Sequence, residues 1–193
     1  MPTFQCPVGD KSLIVETGRF AGQAGGAVTV RYGDTVSLVT ACVSRNLREG
    51  IDFLPLTIDF EERLYAAGKI PGGFFRREGR PSQDATLAAR LTDRPVRPLF
   101  PKGFRNEVQV VITILSADQE NDPDILGIVG ASASLCISET PFHGPVGAVR
   151  VAYIDGDWVL NPTFSQLREA QLEVTVASTR EAVVMVEAAA KQA

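Results

Sequence analysis

The order of strand-like and helix-like segments limits the fold of this chain more than any other feature of its sequence. Short stretches rich in β-branched and alternating apolar residues, typical of strands, occur throughout the chain. Only two stretches have helical periodicity, and strand-like segments lie before, between and after them. We therefore predict an α/β fold, an α+β sandwich in which a mixed β-sheet packs with two main helices. The predicted strands cover residues 12–16, 27–32, 35–43, 56–60, 107–115, 146–154, 158–160, 172–177 and 183–187.

Capping and breaking residues delimit the two helices. Ser82 is a good N-cap for a helix over residues 83 to about 93, which Pro95 should end. Asp122 is a good N-cap for the second helix, with Pro123 at its first position. This second helix contains small residues that would let it lie close to a sheet, namely Gly127, Gly130, Ala131 and Ser134.

Length and composition predict one domain. The chain has 193 residues, 45% of them hydrophobic, which suffices for one well-buried core. We assign residues 1–187 to this domain. The Ala-rich residues 188–193 are good helix formers, and we expect them to begin a helix or linker that is cut short.

The sequence also predicts a cytoplasmic protein without a membrane contact. Its apolar runs are too short to cross a bilayer, and the N-terminal residues lack the pattern of a secretory signal. The three cysteines, Cys6, Cys42 and Cys136, are widely spaced and form no metal-binding or redox motif. Cys42 and Cys136 lie in apolar patterns, where a reduced cysteine behaves as a small hydrophobic residue.

Residues 63–105 form a basic window in an otherwise acidic chain. The window holds ten of the nineteen Lys and Arg residues but three of the twenty-three Asp and Glu, a local charge of +7 in a chain of net charge −4. Residues 72–82 read GGFFRREGRPS, with two phenylalanines beside three arginines. Guanidinium groups pair with phosphate oxygens and aromatic faces stack on unpaired bases. The window therefore predicts a site for a polyanion such as RNA.

The candidate binding residues have a second interpretation. The phenylalanines could fill the core, and the arginines could be solvated or paired with Asp84 and Asp93 in weak surface ion pairs. Too few acidic residues lie nearby to neutralise the whole set, which favours an anionic ligand. The candidates are Phe74, Phe75, Arg76, Arg77 and Arg80 in the loop, and Arg90, Arg94 and Arg97 on the first helix as possible RNA or phosphate contacts.

Patterns for catalysis or metal binding are weak. His143 is the chain's only histidine, and a lone histidine in a turn is usually structural. Acidic residues alternate over residues 118–124 as in a metal-binding loop, but helix capping explains Asp122 and Asp124, and no glycine follows where an EF-hand needs one. From the residues alone we predict no catalytic residue and no metal site.

The same segments resemble a known family. Residues 65–82 read YAAGKIPGGFFRREGRPS, and residues 87–101 read LAARLTDRPVRPLFP. Further motifs are NEVQV at 106–110, NDPDI at 121–125, GASASL at 130–135, PFHGPVG at 141–147 and LNPT at 160–163. Over nearly the whole chain these motifs resemble the first RNase PH-type core domain of the polynucleotide phosphorylase family.

The resemblance implies an RNase PH-like fold and a role in RNA degradation. Members of this family are 3′-to-5′ phosphorolytic exoribonucleases, which use inorganic phosphate to release nucleoside diphosphates from single-stranded RNA. Each subunit has two core domains, and three subunits form a ring around a channel. The resemblance assigns the FFRR loop to gripping RNA in that channel, and Arg94 to a position that binds the attacking phosphate in active paralogues. It also implies degradosome-type partners, a helicase or an endonuclease.

One departure from the family pattern concerns catalysis. Active cores carry two acidic residues that bind Mg²⁺; aligned on residues 173–174, these positions are Ser165 and Gln171 here. Neither side chain is a carboxylate, so we expect the domain to be inactive alone, with the Mg²⁺ site outside these residues. Two alternatives stay open: a non-catalytic RNA-binding ring subunit of an exosome-like complex, and a self-sufficient RNase PH-type enzyme.

Overall fold

Two β-sheets with two long helices between them form the computed structural model, which describes residues 1–47, 50–70, 72 and 79–191. Its strands are β1 Thr3–Val8, β2 Lys11–Thr17, β3 Gly26–Tyr32, β4 Thr35–Leu47, β5 Leu56–Glu61, β6 Asn106–Ser116, β7 Gly147–Ile154, β8 Asp157–Leu160, β9 Leu172–Ser178 and β10 Val183–Ala190. Its helices are α1 Gln83–Val96, α2 Pro123–Ile137 and the short α3 Phe164–Leu167. Single 3₁₀ turns occur at Leu64–Ala67 and Arg97–Leu99.

The two sheets differ in strand direction. The six-stranded sheet has the order β1-β2-β3-β4-β6-β5; only β5 and β6 pair in parallel, so this sheet is mixed as predicted. The four-stranded sheet has the order β10-β9-β7-β8 and is antiparallel throughout. The predicted mixed sheet with two main helices is thus confirmed, and the later strands form a second sheet of their own.

The core lies where the helices meet the sheets. α2 packs on β3 and β4 of the six-stranded sheet and on β7 of the four-stranded sheet, while α1 packs on α2 and β5 and reaches β10. The fully buried side chains include Val30, Val39, Val108, Val110 and Ile112 from the strands and Val96, Ile128 and Leu135 from the helices.

α2 lies very close to the six-stranded sheet because of its small residues. A Cβ atom on Gly130 would overlap with the Val39 side chain, and one on Gly26 would overlap with the backbone carbonyl of Ser134. The N-terminus is as predicted: Pro123 is the first helical residue, and the Asp122 side chain accepts a hydrogen bond of 2.8 Å from the Asp124 amide.

α1 begins as predicted and ends later. The Ser82 hydroxyl oxygen accepts a hydrogen bond of 2.9 Å from the Ala85 amide. The helix does not end at residue 93, however, but continues through Pro95 to Val96. Both of these residues are buried, so packing outweighs the local cost of a proline in the last turn.

Three further expectations need correction. β4 extends to Leu47, which pairs with Asn106 after an irregularity in the register, so this strand is longer than the predicted residues 35–43. Residues 188–190 do not begin a helix: they belong to β10, which pairs with β9. Cys42 and Cys136 are exposed, because each points away from the helix–sheet interface beside a buried neighbour. None of the described helices is both long and apolar enough to cross a bilayer.

Candidate nucleic-acid interface

The basic window maps onto α1 and the segment that leads into it. Four of the predicted contacts, Phe74, Phe75, Arg76 and Arg77, lie outside the described residues. Arg80 is described and exposed, two residues before the N-cap Ser82. The Ser82 hydroxyl donates a hydrogen bond of 2.6 Å to Glu62, which fixes the start of α1 to the end of β5.

Arg80 lies at the border of a cleft of about 530 Å³ between the start of α1, β5 and the Leu64–Ala67 turn. The charged residues that line it are Asp59, Glu61, Glu62, Arg63, Lys69 and Arg80. Glu61 pairs with Arg63 at 2.6 Å and accepts a hydrogen bond of 3.0 Å from Thr113. The described lining therefore carries three acidic and three basic groups, which balance in charge.

The exposed face of α1 carries two of the predicted arginines. Arg90 is exposed and has no hydrogen bond or ion pair within the described part of the chain. Arg94, one helical turn further, forms an ion pair with Glu187 of β10, in which both side chains are about half exposed (55% and 54%). Residues four apart are neighbours on a helix surface, so Arg90 and Arg94 lie on the same face of α1.

Arg97 has a different environment from the other arginines. Its guanidinium group donates two hydrogen bonds to Asp93, of 2.8 and 2.6 Å. It also donates to the backbone carbonyls of Leu54 and Leu56, at 3.1 and 3.2 Å. These bonds hold the end of α1 against the start of β5, and the geometry therefore favours a structural role for Arg97.

The N-terminus of α2 has the geometry of an anion site, but the chain's own carboxylates occupy it. Asp122 pairs with Arg150 of β7 at 2.5 Å, and both side chains are largely buried. Asp124 lies beside them: burial, together with the negative charge of Asp122, raises the pKa of the Asp124 carboxyl to about 7, although Arg150 opposes this. A second anion such as phosphate would meet two acidic groups here, so this helix end does not form a phosphate site.

Asp118 is structural rather than a metal ligand. It accepts hydrogen bonds from the amides of Glu120 and Asn121, at 2.9 and 2.7 Å, and from the Thr35 hydroxyl at 3.0 Å. Burial opposes its charge, yet these bonds lower the pKa of the Asp118 carboxyl well below its usual range. Asp118 thus joins the turn before β4 to the segment that leads into α2.

Ser165 and Gln171, the two residues that align with the Mg²⁺-binding acids of active cores, are exposed on the surface. The Ser165 hydroxyl donates a hydrogen bond of 3.0 Å to Glu120, and Gln171 pairs through its backbone with Tyr153. No set of three or more His, Cys, Asp or Glu residues in the described ranges is arranged to hold a metal ion. A Mg²⁺ ion therefore finds no fitting carboxylate set in this part of the chain.

Sequence reasoning did not find two acidic residues that shape this surface. Glu62 and Glu187 contact Ser82 and Arg94, and they lie 20 and 93 residues away from them in the sequence. No local pattern marks either contact. A prediction of the four-stranded sheet beside α1 would have been needed to pair Glu187 with Arg94.

Two family models together cover almost the whole chain. Domain 1 of the 3′ exoribonuclease family, RNase PH, matches residues 10–141, and domain 2 of the same family matches residues 144–191. The chain belongs to the 3′ exoribonuclease family. The junction of the two RNase PH models falls between the end of α2 and the start of β7, where the chain passes from the six-stranded to the four-stranded sheet.

Named relatives and solved structures agree with this family. The chain is 59% identical over 190 residues to a polyribonucleotide nucleotidyltransferase of Dehalococcoides mccartyi, covering 98% of the chain and 26% of the relative. It is 60% identical over 185 residues to one of Thermomicrobium roseum, covering 96% and 23%. The chain thus spans about a quarter of the length of these curated relatives.

The RNase PH-like fold is confirmed by two solved structures. One is the Archaeoglobus fulgidus exosome with RNA bound to the active site, with a TM-score of 0.70 and 16% identity over 93% of this chain and 78% of the other. The second is rice (Oryza sativa) Rrp46, with a TM-score of 0.72 and 11% identity over 93% and 81%. At these identities the likeness concerns the fold alone.

Proposed function

We propose that this chain is the first core domain of a polyribonucleotide nucleotidyltransferase, a 3′-to-5′ phosphorolytic exoribonuclease that degrades single-stranded RNA. The observation that carries the proposal is the identity of 59–60% to relatives of that name over nearly the whole chain. Because the chain spans a quarter of their length, the activity is proposed for the whole protein. The alternative, a non-catalytic subunit of an exosome-like complex, is supported only by likeness of fold.

Within that protein, the domain would bind RNA. We assign the contacts to the loop residues Phe74, Phe75, Arg76, Arg77 and Arg80 and to the exposed α1 arginines Arg90 and Arg94. The loop would supply stacking and phosphate contacts, and α1 would continue the basic track. We assign Arg97 to holding α1 in place, because Asp93 and two backbone carbonyls already occupy its donors.

Catalysis would belong to the second core domain of the same protein. This domain offers no pair of carboxylates at Ser165 and Gln171, and its α2 N-terminus is filled by Asp122 and Asp124. We therefore place the Mg²⁺ site and the reaction with inorganic phosphate in the second core. A homotrimeric ring, a degradosome-type helicase or endonuclease partner and a cytoplasmic location complete the proposal; the three free cysteines suit a reducing compartment.

The salt dependence of RNA binding tests the proposed contacts. A fluorescent single-stranded oligonucleotide is titrated with the chain at several NaCl concentrations, and the slope of log affinity against log salt is compared among variants. Arg80→Ala and Arg90→Ala should each lower the affinity and reduce the slope by about 0.7, the value for one lost single-strand phosphate contact. Phe74→Ala should lower the affinity about 5- to 150-fold if a base stacks there, with little change in slope.

Arg180→Ala is the matched control, since Arg180 is also exposed but lies in the turn between β9 and β10. This variant should leave both affinity and slope unchanged. Equal effects at Arg180 and Arg90 would show that binding follows overall charge and would contradict the assigned surface. An unchanged affinity for Phe74→Ala with a lowered melting temperature would instead place that phenylalanine in the core.

A further inference from the structure

Arg90 and Arg94 lie about one turn apart on the exposed face of α1, but their surroundings differ. The guanidinium group of Arg90 has no hydrogen bond or ion pair with any residue that the structure describes. Arg94 donates a hydrogen bond to the Glu187 carboxylate of β10 and forms an ion pair with it. One of these two arginines is therefore open to a ligand, while the other already binds an anion of the chain itself.

Glu187 belongs to the face of the four-stranded sheet that points to the helices. In the strand register it lies opposite Thr175 of β9, and Thr175 lies opposite Arg150 of β7. Arg150 pairs with Asp122 at the start of α2 at 2.5 Å, which shows that this row of side chains points inward. Because Asp122 already neutralises Arg150, Arg94 is the one cation with which Glu187 pairs in the described ranges.

Glu187 is also the one carboxylate that pairs with Arg94 among the residues described. Asp93, the adjacent residue on α1, accepts two hydrogen bonds from Arg97, of 2.8 and 2.6 Å, and is therefore engaged elsewhere. Whether Arg94 is free to bind a ligand thus depends on Glu187.

The pair between Arg94 and Glu187 is accessible and weak. The two side chains are 55% and 54% exposed, so a ligand can approach the guanidinium group from the solvent. Water and salt screen the charges of such an exposed pair, which contributes little to stability. A guanidinium fork binds carboxylate and phosphate oxygens in the same way, and a phosphate of an RNA strand can therefore take the place of the carboxylate.

We propose that Glu187 competes with RNA phosphate for Arg94 and thereby sets how strongly α1 holds a single strand. This inference rests on the RNA-binding function proposed above and concerns the strength of one contact of that surface. In the free protein the Glu187 carboxylate holds the Arg94 guanidinium group, and in the complex a phosphate oxygen replaces it. Binding of a phosphate at Arg94 therefore breaks an internal ion pair, whereas binding at Arg90 breaks no contact with a described residue.

Glu187→Gln tests the proposal, because it keeps the size of the side chain and removes its charge. The chain is titrated into a fluorescent single-stranded oligonucleotide at low NaCl, as above, and the variant should bind with higher affinity than the wild type. Glu181→Gln is the matched control, since Glu181 is an exposed carboxylate in the turn between β9 and β10 and has no ion pair with a described residue. This control should leave the affinity unchanged.

A double-mutant cycle with Arg94→Ala separates competition from simple repulsion between Glu187 and RNA. Repulsion acts whether or not Arg94 is present, but competition requires its guanidinium group. The gain in affinity from Glu187→Gln should therefore be about 1.4- to 5-fold larger with Arg94 present than in the Arg94→Ala background, the factor that corresponds to one exposed ion pair. This excess should shrink as the NaCl concentration rises, because salt screens the pair.

Equal gains from Glu187→Gln in both backgrounds would overturn the proposal, as would an equal gain from Glu181→Gln, because Glu187 would then act through its charge alone. A pair with only a structural role would change the melting temperature of the Glu187→Gln variant and not its RNA affinity, which would also overturn it. In these cases a loss of affinity in Arg94→Ala would still support the RNA surface. If Arg90→Ala and Arg94→Ala both left the affinity unchanged, this inference and the RNA contacts assigned to α1 would fail together.

Discussion

At the scale of single residues, the carboxyl group of Asp124 has a strongly raised pKa. It lies in the first turn of α2, half-buried, next to the ion pair of Asp122 and Arg150. A negative charge at a helix N-terminus is normally favourable. Here burial and the charge of Asp122 outweigh that benefit, and the pKa of Asp124 rises to about 7. The folded protein therefore holds a proton that the unfolded chain releases at much lower pH.

This raised pKa predicts how stability changes with pH. An unfolded aspartate titrates near pH 3.9, so the contribution of Asp124 to stability is complete below that pH and is lost as the pH rises toward about 7. Asp124→Asn should match the wild type near pH 4 and be more stable at pH 8 by more than about 1 kcal/mol, since one pKa unit corresponds to about 1.4 kcal/mol. Urea unfolding at several pH values measures the difference.

Asp155→Asn is the control for this measurement, because Asp155 is an exposed carboxylate in the turn between β7 and β8. Its substitution should leave the pH dependence of stability close to that of the wild type. If Asp124→Asn lost the same stability at pH 4 and pH 8, the charge of Asp124 would not be what destabilises the folded state.

The arginines show what the sequence can predict about a site at this scale. The spacing of Arg90 and Arg94 placed them on one helix face, and both are exposed on α1. Arg97 was grouped with them on charge alone, yet carbonyl groups of residues more than forty positions earlier occupy its donors. Such partners come from tertiary structure, so the sequence could indicate the basic surface but not which arginine has a structural role.

At the scale of secondary-structure elements, the close contact between α2 and the six-stranded sheet is the most constrained feature. Gly26→Ala would drive a methyl group into the backbone carbonyl of Ser134, which cannot move without displacing the helix. We expect this substitution to lower the free energy of unfolding by at least about 1–3 kcal/mol. Gly22→Ala is the matched control, because no atom lies within 4 Å of its Cβ position. That variant should be neutral or slightly stabilised in the same urea titration, and equal losses for both would contradict the packing argument.

Local sequence patterns predicted some boundaries of the helices and strands correctly and missed others. Capping residues predicted both helix starts correctly, because a cap acts over three or four residues. The predicted end of α1 and the helix or linker predicted at residues 188–190 were wrong for a shared reason. Buried contacts keep Pro95 in the helix, and pairing with β9 holds three alanines in a strand, so tertiary partners outweigh intrinsic propensity.

At the scale of the whole molecule, two surfaces of different chemistry lie on different elements. The exposed arginines lie on α1 and just before it, while the face of the four-stranded sheet that points away from the helices has three successive rows without a charged side chain. The Arg94–Glu187 pair links the two regions, since it joins α1 to the inner face of the four-stranded sheet. The sequence predicted the basic surface from its charge, but the uncharged sheet face emerged only from the strand register.

At the scale of the whole molecule, we predict that this domain alone is not catalytic. The prediction depends on two regions that are separate in the sequence, the aligned acid positions and the α2 N-terminus. Ser165 and Gln171 provide no carboxylate for Mg²⁺, and the α2 N-terminus, where a phosphate could otherwise bind, holds Asp122 and Asp124. The purified chain, incubated with Mg²⁺, inorganic phosphate and poly(A), should release no ADP above background. It should nevertheless bind poly(A) in the same buffer, which shows that the substrate reaches the protein. A full-length polyribonucleotide nucleotidyltransferase is the positive control. Phosphate-dependent release of ADP by the chain, lost when Mg²⁺ is chelated, would show instead that this domain is a self-sufficient enzyme with a set of acidic residues other than the aligned positions.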